Sequence, residues 1–315
     1  MTSTVTKSAT REAYGQVLVE LGREDPNIVV LGGDLNKSTG TWAFAQQFPE
    51  RFFDLGAAEQ NIMGIAAGLA SAGKTVFAST FAVFGTGRPY DQIRLSIAQP
   101  GLNVKIVVTH AGIITGEDGM SAQSIEDIAL MCALPTFTVV VPADAPETAA
   151  AVREAARTQG PWYIRLGRPA TPVVHQDGYR FHLGRAEQLK GGSDVTVIAC
   201  GVMVSAALEA AEVLEGQGVR CRVLNMATLK PTDEEAIIRA AKETGALVTA
   251  EEHYIHGGLN SIVCQAVGRL CPVPVEPVAL TRYAESGDPS GLLRKYGLTA
   301  EDVVAAVRRA LSRRG

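Results

Sequence analysis

Residues 56–84 read GAAEQNIMGIAAGLASAGKTVFASTFAVF. The stretch opens on a lone acid, Glu59, set just ahead of Ile62 to Ala72, an apolar run rich in Ala and Gly that predicts a helix over Asn61 to Ser71. A short β-rich run follows at Thr75 to Ala78, and Phe81 and Phe84 stand just beyond it. An acid beside so apolar a run is poorly placed unless it has a task. The plain alternative is a first-turn glutamate whose charge meets the positive end of the helix dipole. The aromatic pair likewise reads as core packing unless a ligand needs an aromatic face.

The same alternation extends outward in both directions. Tyr14, Val17, Leu18 and Leu21 follow helical spacing and precede Ile28 to Leu31, an apolar run ending in Gly32-Gly33. Further strands are expected at Val104 to Thr109, Thr138 to Val141 and Tyr163 to Leu166, with helices over Arg88 to Ala98, Ile125 to Ala133 and Pro146 to Thr158. Short apolar strands separated by helices imply an α/β fold, with a mostly parallel sheet covered on both faces. From Pro172 to Asp194, Gly, charge and His mix without a period, as in a linker or edge hairpin. A second α/β unit follows. Its strands are expected at Val195 to Ala199, Cys221 to Asn225, Leu247 to Ala250 and Val273 to Val278, and its helices at Val204 to Leu214, Asp233 to Thr244, Gly258 to Leu270 and Ala300 to Leu311. The expected division is residues 1–185 and 186–315, both of ordinary domain size.

Bulk properties exclude several classes. With 46% hydrophobic and 20% charged residues over 315 positions, the chain has the composition of a globular protein. A formal net charge of -4 lacks the basic footprint of a nucleic-acid binder. The start, MTSTVTKSATREAYG, has no signal-peptide core, and no apolar run approaches the ~20 residues that span a bilayer, so a cytoplasmic location is expected. The five cysteines form no CxxC pair; Cys132, Cys200 and Cys264 read as core thiols, and Cys221 and Cys271 fall at segment edges.

Nucleotide motifs are absent: Gly85-Thr86-Gly87 leads into Arg88-Pro89-Tyr90 rather than completing GxGxxG, and there is no GxxxxGK[ST] loop. Thiamine diphosphate enzymes hold Mg²⁺ with a GDG triplet followed, roughly 25 to 30 residues on, by Asn, which brings oxygen ligands to an octahedral ion. Gly33-Asp34-Leu35 with Asn61 imitates that spacing, but Leu35 replaces the closing glycine. No metal site is therefore assigned to this chain.

The 56–84 stretch, with its TFAVF ending, Gly116-Glu117-Asp118-Gly119 and VTAEEHYIHGGL (248–259), resembles transketolase. The resemblance runs over nearly the whole chain and matches, in order, the pyrimidine-binding and C-terminal domains of full-length transketolases. A chain of this length and content is similar to the C-terminal subunit of a split transketolase. The resemblance implies thiamine diphosphate and Mg²⁺ as cofactors, the Mg²⁺ held mainly by an N-terminal partner subunit in an α2β2 assembly. It also implies transfer of a two-carbon ketol unit from a ketose to an aldose. The cofactor's own imino group is the base in such chemistry, and it forms only when a carboxylic acid hydrogen-bonds ring atom N1' in a dry pocket. The resemblance gives that role to Glu59, makes Phe84 the ring that stacks on the aminopyrimidine with Phe81 beside it, and leaves Asp34 among the cofactor contacts.

It also places Arg11, Ser38, His110 and Arg168 at the phosphate end of a sugar substrate and Asp118 on a sugar hydroxyl. Taken singly these read as a first-turn arginine, a turn former, a strand-end histidine and a surface charge before Pro169; together they form the converging set that an anion requires. The chain departs from the family where many transketolases read DGPTHQ. It reads DGMSAQ, with Ala122 at the position of a histidine that assists near the substrate carbonyl. A methyl group cannot replace an imidazole in function, so the sugars handled are left open. Glu251, Glu252, His253 and His256 could be read as a metal cluster, but the resemblance makes this region structural. His175 and His182 carry no signal. Two other functions share these features: the beta subunit of a 2-oxoacid dehydrogenase, with the same layout and glutamate, and a catalytically silent regulatory homologue, which Ala122 alone favours.

Overall fold

The computed structural model describes residues 6–176 and 178–314; residues 1–5 of the N-terminal segment and Asp177 of the 172–194 segment lie outside them. Strands in the first part of the chain are β1 (Lys7–Ala9), β2 (Ile28–Gly32), β3 (Phe52–Asp54), β4 (Thr75–Ser79), β5 (Val104–Val108), β6 (Thr138–Val140), β7 (Trp162–Arg165) and β8 (Ala170–Pro172). Those that follow are β9 (Glu187–Lys190), β10 (Val195–Ala199), β11 (Cys221–Asn225), β12 (Thr228–Lys230), β13 (Leu247–Tyr254) and β14 (Val275–Leu280). Every residue of β2, β4, β5, β7 and β10 is buried. That is why these strands read as predominantly apolar runs: helices cover both faces of a parallel sheet.

The first sheet has the order β12-β6-β7-β5-β4-β2-β3 and is parallel except for β12. The chain steps outward from β2 to β3 and then returns past β2 to β4, so strand order reverses between β2 and β4. Crevices at the carboxyl ends of strands beside such a reversal are where open α/β sheets bind ligands. The second sheet, β14-β13-β10-β11-β9, is parallel except for β9 at its edge.

Two expectations need correction, and a third gains detail. The 172–194 segment, expected as a linker or edge hairpin, supplies an edge: Glu187–Lys190 is the outer strand of the second sheet, and Pro172 ends β8, which pairs with β1. Arg88 to Ala98 is not one helix: a short helix at Tyr90–Gln92 gives way to a wider π-turn at Ile93–Ala98, with Pro89, which has no N–H to donate, at its start. Cys264, expected as a core thiol, is exposed, because the helix Leu259–Leu270 turns Val263, Ala266 and Val267 inward and Cys264 out; Cys221 stands at a segment edge as expected, the first residue of β11, and is buried. Sheet membership also crosses the 185/186 division, since β12 completes the first sheet. Among the described residues no helix is long and apolar enough to cross a membrane.

The two sheets are joined by buried charge. Arg165, at the end of β7, donates from Nε to Asp127 Oδ2 at 2.8 Å and from Nη2 to the carbonyls of Ser124 and Glu252 at 3.2 and 3.0 Å. Glu252 accepts from the Ile114 amide at 2.7 Å, and Glu251 accepts from the amides of Leu259 and Asn260, which caps the helix Leu259–Leu270. Burial pushes both glutamates up to about 7 and His253 down to about 4. These acids therefore have structural tasks, and among the described residues no group of three His, Cys, Asp or Glu side chains is placed to hold a metal ion. Gly112 is required at this junction: it has φ 74°, and a Cβ there would fall 2.1 Å from the Glu252 carboxyl carbon.

Candidate active site

The site is assembled where β2, β4, β5 and β7 end, side by side in the first sheet. After β2, Asp34 adopts φ 60°, a left-handed conformation that costs a non-glycine residue free energy. Its amide donates to Asp54 Oδ1 at 2.9 Å, and Asp54 also accepts from the Gly56 amide and Asn36 Nδ2, so one carboxylate holds the β2 turn to the segment leading into residue 59. The Asp34 side chain itself is exposed.

Glu59 begins the helix Glu59–Ser71 and is only 4% exposed. Its partner is a residue the sequence reading passed over. Arg88 Nη1 donates to both carboxylate oxygens, at 2.9 and 3.0 Å, and the guanidinium carbon lies 4.0 Å from the centroid of the Phe84 ring. The available signal was spacing: Arg88 is four residues beyond Phe84, one helical turn on, so the two share a face.

Phe81 continues the row. Its ring is buried, 5.9 Å from Phe84 and 3.7 Å from His110, nearly parallel to both. Backbone bonding at the strand ends fixes this order, because Thr109 N donates to Thr80 O and Ala82 N to Thr109 O. His110 also has positive φ, 57°. Its Nδ1 engages Thr109 Oγ1 at 2.8 Å, which leaves Nε2 for a ligand. Burial, followed by the charges of Arg11 and Arg168, pushes His110 down to about 3, so the ring is neutral at ordinary pH.

Those two arginines bring the rest of the expected set to the same place. Arg11 donates from Nη1 to the Ser38 carbonyl at 3.0 Å, and its Nε is buried without a hydrogen-bond partner. Arg168 donates to Thr115 O at 2.7 Å and Glu117 Oε2 at 2.9 Å, with Asp118 Oδ1 at 3.7 Å. Arg11, Ser38, His110, Asp118 and Arg168 therefore lie at one end of the row and Glu59, Arg88 and Phe84 at the other. The second domain steadies the loop that carries Glu117 and Asp118: Ser286 Oγ donates to Glu117 O, and Gln123 Nε2 donates to Glu285 O at 3.0 Å. Ala122 is buried in the turn that follows, its amide bonded to Gly119 O.

The residues fit the aminopyrimidine half of thiamine diphosphate. A buried carboxylate beside an aromatic face already accommodates one planar donor group, the Arg88 guanidinium, in contact with both. The diphosphate half is another matter, because Leu35 follows Asp34 where a metal-binding GDG would close, and Asn61 is an exposed residue of the Glu59 helix. A surface cavity of about 570 Å³ lined by Glu234, Arg239 and Leu270 includes none of these residues.

Comparison with known proteins bears on the two domains. Residues 6–173 match the family model of the transketolase pyrimidine-binding domain, and residues 184–303 that of the transketolase C-terminal domain. A Methanocaldococcus jannaschii protein named "Putative transketolase C-terminal section" is 43% identical over 305 residues, covering 94% of each chain. A 6-deoxy-6-sulfo-D-fructose transketolase subunit from a Clostridium species is 41% identical, over 96% of this chain and 95% of that one. A solved structure described as "Split gene transketolase, inactive beta4 tetramer" superposes with a TM-score of 0.92 at 54% identity, over 98% of this chain and 99% of that one. These matches do not favour the 2-oxoacid dehydrogenase or silent-homologue readings. The chain belongs to the transketolase family, as a split subunit that carries the pyrimidine-binding domain followed by the C-terminal domain.

Proposed function

We propose that this chain is the pyrimidine-side subunit of a two-chain, thiamine diphosphate-dependent transketolase that moves a two-carbon ketol unit from an anionic ketose to an aldose. The observation that carries the reading is the buried Glu59 carboxylate beside the Phe84 face, at the same sheet edge as Arg11, His110 and Arg168. Glu59, Phe81, Phe84 and Asp34 would hold the cofactor's pyrimidine side, and when bound the cofactor supplies the carbon nucleophile that accepts and hands on the two-carbon unit. Glu59, itself nearly shut off from solvent, would hold a proton toward ring atom N1'. Phe84 would set the plane of the ring, with Phe81 beside it. Asp118 orients a sugar hydroxyl.

Arg11 and Arg168 supply the charge for the substrate's anionic end, and neutral His110 adds a hydrogen bond from Nε2. Similarity to a subunit acting on a 6-sulfo sugar supports including sulfonates with phosphates in that class. Ala122 offers no imidazole to the reacting end, so the partner subunit or the substrate itself must provide that contact. The diphosphate and Mg²⁺ belong to an N-terminal-type partner chain.

Co-expression with a chain containing GDG and Asn, followed by a screen of phospho- and sulfo-ketose donors, tests the proposal. Thiamine-dependent ketol transfer that needs both chains is expected. The isolated chain should bind thiamine diphosphate weakly or not at all by calorimetry. Tight, magnesium-dependent binding without a partner would return Asp34 and Asn61 to the role of metal ligands.

A further inference from the structure

In this structure the Glu59 seat is covered from within the chain. Arg88 makes the two contacts that an aminopyrimidine would need there, hydrogen bonds to the Glu59 carboxylate and an approach over the Phe84 ring, the guanidinium carbon 4.0 Å from its centroid. A guanidinium is suited to both, since it is flat, rich in N–H donors and weakly hydrated for a cation. The rest of the residue is built to let the head group move. The Arg88 side chain is 52% exposed, against 4% for Glu59, so it can swing into solvent while the carboxylate stays in place. Its backbone is anchored separately, by Gln60 Nε2 donating to Arg88 O at 3.2 Å and by the buried Pro89 that follows. The preceding residue, Gly87, has open space around it.

We infer that Arg88 is a placeholder for the aminopyrimidine: it keeps the buried Glu59 carboxylate paired and the Phe84 face covered until the cofactor displaces it. The inference rests on the reading of Glu59 and Phe84 as the pyrimidine seat. It makes Arg88 a positioning residue, and it ties cofactor entry to a side-chain movement in this subunit. Cofactor brought in on the partner chain, with the diphosphate already held, has more binding free energy available to displace Arg88 than the pyrimidine alone.

The test uses the full chain without its partner and thiamine, which has the aminopyrimidine but no diphosphate, as the calorimetric probe. Arg88→Ala should bind thiamine at least about tenfold more tightly than wild type, and Arg88→Lys should fall between them, because an ammonium keeps the charge but not the plane. Adding Glu59→Ala to Arg88→Ala should abolish the gain. Circular dichroism should show all variants folded, as expected for a change in a half-exposed side chain. Equal or weaker thiamine binding in Arg88→Ala, alongside Glu59-dependent binding in wild type, would overturn the placeholder while leaving the seat intact. Thiamine binding in no variant would overturn the placeholder, because Arg88→Ala should open the seat, and binding indifferent to Glu59→Ala would overturn the seat and the placeholder together.

Discussion

At the scale of single residues, the site concentrates costs that only a task explains. Asp34 and His110 are the non-glycine residues with positive φ among those described, and both stand at carboxyl ends of the central strands. His110 also bears an acid-base cost. Its folded pKa lies far below the ~6.5 of an unperturbed histidine, depressed by burial and then by Arg11 and Arg168 to about 3. The stability this contributes is fully present above ~6.5 and is lost as pH falls from there towards 3, because protons bind the unfolded chain first. Replacing Arg168 by Gln should therefore raise the His110 titration midpoint in an NMR pH series, and saturating an anionic substrate should do the same. A midpoint unmoved by both changes would place His110 away from the anion end. Much of this was legible beforehand: an acid ahead of an apolar helix, aromatics at a strand end, and cations spread along the chain that a family likeness gathers into one set. Arg88 was not, because a solvent-edge arginine acquires meaning only once the buried carboxylate it faces is known.

At the scale of elements, β2, β4, β5, β7 and β10 could be read from apolar runs because both their faces are buried. β3, β9 and β12 could not. They are short strands at or near sheet edges with polar residues among them, and β12 pairs with β6, which lies far back in the sequence. The same distance effect hid the tie between the sheets, since Arg165, Asp127 and Glu252 find one another only in the folded chain. Arg165→Leu removes the cation and leaves Asp127 fully buried beside it, so a loss of about 3–5 kcal/mol is expected from urea unfolding. A loss below about 1 kcal/mol, the range of exposed ion pairs, would show that the network does not hold the halves together.

At the scale of the whole molecule, the proposed function makes the chain half of a site, and the surfaces that complete it would belong to other chains. On the Glu59 helix, Asn61, Gly64 and Gly68 face outward, and a Cβ at Gly64 or Gly68 would meet no atom of this chain within 4 Å. Close approach of a second copy along this face would give a twofold pair at the centre of an α2β2 assembly. Gly68→Leu should then lower the mass seen by light scattering while circular dichroism is unchanged; an unchanged mass would move the pairing elsewhere. The central claim, that Glu59 activates a cofactor completed by a partner, is tested most directly by ketol-transfer kinetics of the mixed assembly with wild-type chain and with Glu59→Gln. Removal of a proton-transferring group predicts a fall in kcat of ~10²-fold or more, with the heterotetramer still formed. Near-wild-type turnover in Glu59→Gln, or ketol transfer by this chain alone, would contradict it.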